Sequence, residues 1–170
     1  MSIESIDTLA QAVGARLQAL GHTVTTAESC TGGLIAGALT SVPGSSAWFH
    51  GGLVTYDNAL KIEWLGVAPD VLEQQGAVSE AVVAAMAQGA LQRAKANWAI
   101  AVSGIAGPGG AVPGKPVGTV CLGLARRGQP AVVHTATQHF AGDRSAVREA
   151  TVAAALRGLL QHLDAATDHA

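Results

Sequence analysis

The apolar positions at the start of the chain repeat at the spacing of an amphipathic helix. Ile6, Leu9, Val13, Leu17 and Leu20 follow one another at intervals of three or four residues, which gathers them on one helical face. We expect Ser2 to cap this helix and Gly21 to end it. A short β-branched run over 23–27 then predicts a strand, and the small apolar residues over 34–39 predict a second helix.

Strand-like and helix-like patterns alternate along the rest of the chain. Caps and turn residues mark the boundaries of most segments. We expect strands over 48–55 (interrupted by Gly51 and Gly52), 98–103, 118–124 and 131–140, a loop over 104–116, a hairpin turn over 126–130, and helices from Asp57 to Gly66, over 69–75, from Ser79 to about Lys95 and from Asp143 to about Leu163. Early alternation and a late hairpin predict an α/β fold, a single three-layer α/β/α domain with a mixed β-sheet over 1–170.

Composition narrows the class of protein. Ala and Gly make up about a third of the 170 residues, 13% are charged, and 10 Lys+Arg face 12 Asp+Glu for a net charge of -2. This balance argues against intrinsic disorder and against a nucleic-acid binder that neutralises phosphates. No apolar run approaches the roughly 20 residues of a membrane span. Cys30 and Cys121 form neither a disulfide framework nor a zinc pattern, and the acidic N-terminus does not resemble a signal peptide, so we expect a cytoplasmic protein.

The first candidate site is the predicted turn from strand to helix at 28–33. Ser29 and Cys30 place a hydroxyl beside a thiol, and free backbone N–H groups at such a turn can hold an anion or a developing oxyanion. Thr31, Gly32 and Gly33 complete the turn, and the two glycines would leave the backbone open to a substrate. The alternative is that Ser29 or Thr31 only caps the helix and that the glycines serve close packing.

The second candidate lies at the start of the helix that Asp57 is expected to cap. Lys61 would be its fourth residue, where the helix dipole opposes a cation, and it falls beside the apolar face. Both effects favour the neutral amine that a lysine base requires. The alternative is a surface lysine whose stem lies over Trp64. Tyr56 would ordinarily be a half-buried strand aromatic.

The glycine-rich loop over 103–116 contains a G-x-x-x-x-G-K pattern from Gly109 to Lys115. We reject nucleoside-triphosphate binding there, because Pro116 stands where the magnesium-binding Ser or Thr should be and a strand follows instead of a helix. Ser103 and Gly104 directly follow a buried strand and remain a plausible wall of a site. The glycines of this loop and the pairs 32–33 and 51–52 are expected to surround the site.

Two arginines, Arg144 and Arg148, share one face at the start of the last helix. Cations are unfavourable at that end of a helix unless an anion is present, and a substrate phosphate would supply it. The alternative is pairing with Asp143 or with another acid. Metal binding is not expected, because the histidines show no ligand spacing, and His134 and His139 should point to opposite faces of a strand.

Seven segments together carry a resemblance to a known family: 26–33 (TAESCTGG), 43–49 (PGSSAWF), 54–61 with Val54-Thr55-Tyr56, Asn58 and Lys61, 76–80 (GAVSE), 103–108 (SGIAGP), 115–120 (KPVGTV) and 142–144 (GDR). In this order they look like the CinA C-terminal domain family, and more narrowly like stand-alone nicotinamide-nucleotide amidohydrolases. The resemblance covers nearly the whole chain.

The resemblance implies hydrolysis of nicotinamide mononucleotide to nicotinate mononucleotide and ammonia, without metal or other cofactor, in recycling of pyridine nucleotides. It implies Ser29 as nucleophile, Lys61 as base, Tyr56 as an assisting residue, and a homo-oligomer with no membrane or nucleic-acid partner. The expected substrate-binding residues are Cys30, Thr31, Gly32, Gly33, Asn58, Ser103, Gly104 and Arg144. Two alternatives stay open: Cys30 as the nucleophile, or a non-catalytic pyridine-nucleotide-binding or competence-related and DNA-damage-related interaction module.

Overall fold

A computed structural model describes residues 4–128 and 131–167 of the chain. The helices and strands follow one another in the predicted order. The helices are α1 (Ile6–Leu20), α2 (Leu34–Thr40), α3 (Asn58–Leu65), α4 (Pro69–Gln75), α5 (Glu80–Ala94) and α6 (Arg144–Thr167), with a short 3₁₀ turn at Ser45–Ala47. The strands are β1 (Val24–Glu28), β2 (Phe49–Val54), β3 (Trp98–Gly104), β4 (Thr119–Arg126) and β5 (Val132–His139).

Most predicted helix ends are confirmed. Asp57 and Ser79 cap α3 and α5 through their side chains, and Gly66 ends α3 in the left-handed conformation. The cap of α1 is Ser5, whose hydroxyl accepts from the Thr8 N–H, so the prediction of Ser2, which lies outside the described residues, is wrong. The last helix runs beyond Leu163 to Thr167. Gln129 and Pro130 of the expected hairpin turn also lie outside the described residues.

The sheet is mixed, as predicted. The strands of the described chain stand in the order β2-β1-β3-β4-β5. Strand β1 is parallel to its neighbours β2 and β3, whereas β4 is antiparallel to its neighbours β3 and β5. The register pairs Glu28 with Val54 on one side and with Val102 on the other. The carboxyl ends of three parallel strands therefore meet at one edge, the place where open α/β sheets bind ligands.

Each face of the sheet is covered by its own hydrophobic core, which gives the predicted three layers. One core joins α1, α2 and α6 to residues such as Val24, Ile100 and Leu124. The other joins α3, α4 and α5 to Ala27, Ala99, Ala101 and Ala125. A glycine lets two helices of the same layer approach closely: a Cβ on Gly89 of α5 would overlap the carbonyl oxygen of Leu65 at the end of α3.

No helix in residues 4–128 or 131–167 has both the length and the apolar character that crossing a membrane requires.

Candidate active site

Backbone hydrogen bonds tie the ends of three strands together around Ser29. The Ser29 N–H donates to the Val102 carbonyl of β3 across 3.1 Å. The Thr55 N–H donates to the Glu28 carbonyl across 2.9 Å, so the chain after β2 is held beside the turn that follows β1. This brings Lys61, on the helix after Thr55, to the candidate nucleophile.

Lys61 is buried, with 1% of its surface exposed, and its amine points at Ser29. The Nζ atom lies 3.2 Å from the Ser29 Oγ, 2.8 Å from the Thr55 carbonyl oxygen and 3.1 Å from the Tyr56 carbonyl oxygen. The surface-lysine alternative is therefore wrong. Trp64, over which the stem was to lie, is itself 37% exposed.

The environment of Lys61 favours its neutral form. Burial lowers the pKa of the Lys61 amine below its usual value of 10.5, and the charge of Asp57 opposes the shift only in part. A neutral amine has two N–H donors and one lone pair. Two carbonyl oxygens can take the two donors, which leaves the lone pair to accept a proton from the Ser29 hydroxyl.

The turn over 29–33 is organised by a residue that the sequence reasoning left out. The buried carboxylate of Glu28 accepts from the N–H groups of Ile35 and Ala36 and from the Thr31 hydroxyl. The N-cap of α2 is Gly33, which has no side chain, and the Glu28 carboxylate supplies the acceptors for the first turn, so the alternative in which Ser29 or Thr31 is the cap is wrong. Glu28 is the last residue of β1 and lies six positions before Leu34, the first residue of α2, so no local capping pattern in the sequence marked it.

The two glycines of the turn have conformations that other residues rarely adopt. Gly32 and Gly33 have φ angles of 57° and 101°, and Gly33 packs near Val54. In the described part of the chain, the N–H groups of Cys30, Thr31 and Gly33 have no hydrogen-bond acceptor. These three donors are available to an anion or an oxyanion, whereas the Thr31 side chain is buried and bonded to Glu28.

The two arginines of α6 reach into the same region. Arg144 donates to the Gly107 carbonyl across 2.8 Å and to the Tyr56 hydroxyl across 3.0 Å. Arg148 donates to the carbonyls of Cys30 and Thr31. Neither arginine forms a salt bridge with any acid of the described residues, so the expected pairing with Asp143 or another acid is wrong there. Arg148 was not among the predicted site residues, although it shares a helix face with Arg144.

The thiol of Cys30 is less accessible than the hydroxyl of Ser29. Cys30 is 4% exposed, and burial raises the pKa of its thiol to about 11. A thiol is a nucleophile only as its thiolate. The geometry therefore favours Ser29 over Cys30.

Other expected site residues lie at the edge of this arrangement. Ser103 is buried at the end of β3, next to Val102, and Gly104 packs so closely on β4 that a Cβ would press on Val120. Asn58 is exposed at the first turn of α3. Gly52 serves close packing of β2, because a Cβ there would overlap the Thr26 hydroxyl and crowd α2.

The other polar residues that the sequence singled out, Lys115, His134 and His139, make contacts away from Ser29. Lys115 donates to the Gln75 carbonyl, away from Ser29. His134 lies against His162 of α6, whereas His139 contacts Thr119, which places the two strand histidines on opposite faces as predicted. Within residues 4–128 and 131–167, no group of three or more His, Cys, Asp or Glu is placed to hold a metal ion.

Comparison with known proteins finds relatives that match nearly the whole chain. A family model described as the CinA C-terminal domain matches residues 6–163. A Pseudomonas putida protein named nicotinamide-nucleotide amidohydrolase PncC is 54% identical over 159 residues, which cover 94% of this chain and 98% of that protein. A crystal structure of the competence/damage inducible protein CihA from Agrobacterium tumefaciens has a TM-score of 0.89 and 46% identity, covering 96% of this chain and 99% of that one.

Other relatives are longer than this chain. A Symbiobacterium thermophilum protein whose name describes it as competence-damage inducible is 53% identical over 168 residues. The match covers 93% of this chain but only 39% of that protein.

Proposed function

The chain belongs to the CinA C-terminal domain family, and from that premise we propose that it hydrolyses the carboxamide of nicotinamide mononucleotide to nicotinate mononucleotide and ammonia. The observation that carries the proposal is the buried Lys61 amine, 3.2 Å from the Ser29 hydroxyl and held by two carbonyl oxygens. The name of the Pseudomonas putida relative, which this chain matches over 98% of its length, supports the substrate.

Ser29 is the nucleophile in this proposal and Lys61 is the general base. The neutral Lys61 amine takes the hydroxyl proton as the Ser29 Oγ bonds to the carboxamide carbon. The resulting ammonium returns a proton to the amide nitrogen, so the carbon–nitrogen bond breaks and ammonia leaves. Water then attacks the Ser29 ester as Lys61 takes a proton from it. The bond between the acyl carbon and the Ser29 Oγ breaks, Lys61 returns the proton to Oγ, and nicotinate mononucleotide leaves as its carboxylate after giving the remaining proton to water.

The oxyanion that forms during both steps needs hydrogen-bond donors that are already in place. The unbonded N–H groups of Cys30, Thr31 and Gly33 are the candidates within the described chain. Each well-placed donor of this kind lowers the barrier by about 3 kcal/mol. Because Gly32 and Gly33 hold positive φ angles, the backbone of the turn adopts a shape that side chains would disfavour.

Arg144 is the proposed contact for the substrate phosphate. Its guanidinium is exposed, is not paired with an acid among the described residues, and retains N–H donors beyond those given to Gly107 and Tyr56. Tyr56 is 57% exposed and lies against Arg144, so its proposed part is to shape the nucleotide site next to Ser29.

The proposal also covers the domain organisation, the cellular location and the oligomeric state of the enzyme. We take the chain to be a single catalytic domain that acts in the cytoplasm as a homo-oligomer, as the family resemblance implies. The buried apolar residues of α5 pack within the chain against the sheet and α3. Analytical ultracentrifugation of the full chain tests the oligomer, and a monomer at micromolar concentration would contradict it.

An ammonia-release assay with nicotinamide mononucleotide tests the activity. We expect turnover by the wild type, and loss of about 1000-fold or more in Ser29→Ala and Lys61→Met, because both groups act in the bond-making step. Ser46→Ala and Lys95→Met change exposed residues of the same types and should keep wild-type rates. Tight binding of the nucleotide with no ammonia release would favour the non-catalytic module, and an unimpaired Ser29→Ala would remove Ser29 from the mechanism.

A further inference from the structure

Glu28 is a charged side chain buried at the end of a central strand. It is 1% exposed, and no Lys or Arg of the described residues forms a salt bridge with it. Carboxylates are almost never buried this completely unless their oxygens are satisfied, because the loss of hydration is costly. The side chain must therefore be held by hydrogen bonds alone.

The donors to Glu28 lie before, within and after the turn over 29–33 that carries the Ser29 hydroxyl. Its Oε1 accepts from the Thr31 hydroxyl at 2.6 Å and from the Ile35 N–H at 2.8 Å, and its Oε2 accepts from the Ala36 N–H at 2.9 Å and from the Thr26 hydroxyl at 3.4 Å. Hydrogen bonds to an ionised carboxylate are about twice as strong as neutral ones. One side chain thus bridges β1 to α2 and encloses residues 29–33.

The main chain of Glu28 is connected through Thr55 to Lys61, the proposed base. Its carbonyl accepts from the Thr55 N–H at 2.9 Å, and the Thr55 carbonyl accepts from the Lys61 amine at 2.8 Å. The residue that precedes Ser29 in sequence is therefore connected, through its side chain and its main chain, to the turn that carries the hydroxyl and to the segment that orients the amine.

We propose that Glu28 is a positioning residue that holds Ser29 and the N–H donors of its turn in the geometry required for attack. The inference rests on the proposed amidohydrolase function but concerns a residue that touches no substrate. A merely structural cap would stabilise α2 without changing the reactivity of Ser29. A positioning residue changes the rate, because a displacement of about 1 Å at a reacting group costs about 100-fold.

The principal test is Glu28→Gln, which keeps the size of the side chain but turns an NH₂ group towards the donors. We expect kcat for ammonia release to fall between about 10-fold and about 100-fold, while KM stays within about 3-fold. The pH at which the rate rises should not move, since Lys61 still acts as the base. A shift of that pH dependence would overturn the proposal by making Glu28 a proton-transfer group, and a rise in KM at constant kcat would overturn it by making Glu28 a substrate contact.

A second readout does not depend on the nucleotide. A fluorophosphonate probe reacts with Ser29 as the Oγ bonds to phosphorus, fluoride leaves and Lys61 takes the proton. We expect labelling of Ser29, followed by mass spectrometry, to slow in Glu28→Gln by about the same factor as kcat. If the wild type is labelled but releases no ammonia, the proposed function fails while the labelling rates still decide the role of Glu28.

Ser5→Ala is the matched control, because Ser5 caps α1 and is absent from the site. It should lower the midpoint of thermal unfolding without changing kcat or labelling. If Glu28→Gln behaves in the same way, with normal kcat and labelling, the positioning role is wrong.

Two further variants keep the test decisive. Glu28→Asp retains the charge but shortens the reach, and we expect a loss of kcat at least as large as in Glu28→Gln. Should both Glu28 variants fail to fold, Thr31→Val removes the 2.6 Å donor from Oε1. A fall in its kcat supports the positioning role, and an unchanged kcat overturns it.

Discussion

The amine of Lys61 lies 3.2 Å from the hydroxyl oxygen of Ser29, and its other two hydrogen-bond partners are neutral carbonyl oxygens. No carboxylate of the described residues forms a salt bridge with this amine. A buried amine with neutral partners loses its proton more easily than one in water. This relationship has a direct consequence for the pH dependence of the reaction.

We expect kcat/KM for nicotinamide mononucleotide to rise with pH as Lys61 loses its proton. Because burial lowers the pKa of the Lys61 amine, the midpoint of the rise should lie below pH 10.5. A pH–rate profile of the wild type measures this midpoint, and Lys95→Met, which changes an exposed lysine, should leave it in place. A midpoint at or above 10.5, or a rate that falls on deprotonation, would contradict the role of Lys61 as base.

Arg144→Ala should raise KM for nicotinamide mononucleotide by roughly 10-fold to 100-fold, because a hydrogen bond to a charged group is worth about 1.5–3 kcal/mol. The same variant should change KM for nicotinamide riboside, which has no phosphate, far less. Steady-state kinetics on both substrates measure the difference. Arg16→Ala removes an arginine that is paired with Asp164 on the surface and serves as the control. An equal effect on both substrates would assign Arg144 to holding Tyr56 and Gly107 and not to the phosphate.

The thiols of Cys30 and Cys121 should resist modification in the folded protein. Both are buried, and burial raises the pKa of the Cys30 thiol to about 11 and that of the Cys121 thiol as well. Titration with a disulfide reagent at pH 8 should detect almost no thiol before unfolding and both after it. Cys30→Ala should keep most of the activity. A dead Cys30→Ala together with an active Ser29→Ala would make Cys30 the nucleophile.

The same substitution in two helices should change stability in opposite directions. Gly89→Ala places a Cβ against the Leu65 carbonyl and should destabilise the fold by about 1–3 kcal/mol. Gly158→Ala in α6 meets no atom within 4 Å and should stabilise it by about 0.5–1 kcal/mol, because Ala is the better helix former. Urea denaturation measures both. If the two variants change the free energy of unfolding equally, close packing of α5 on α3 is not the reason for a glycine at position 89.

Local sequence rules were sufficient for the helices and strands and for most of their ends. Asp57, Ser79 and Asp143 were recognised as caps because a cap bonds to an N–H only two or three residues away. The same reasoning placed Lys61 in the first turn of α3. The mixed sheet followed from the order of the elements, since parallel strands require a crossover and antiparallel strands can follow a hairpin.

Only the tertiary structure decided what these residues contact. The burial of Lys61, the carboxylate of Glu28 under α2 and the reach of Arg144 to Tyr56 depend on which strands are neighbours, and the order β2-β1-β3 brings together segments far apart in the chain. Sequence periodicity reports which face of an element is apolar but not which element covers it. Ser29 and Lys61 could therefore be selected from the sequence, whereas the 3.2 Å between them is a property of the folded sheet.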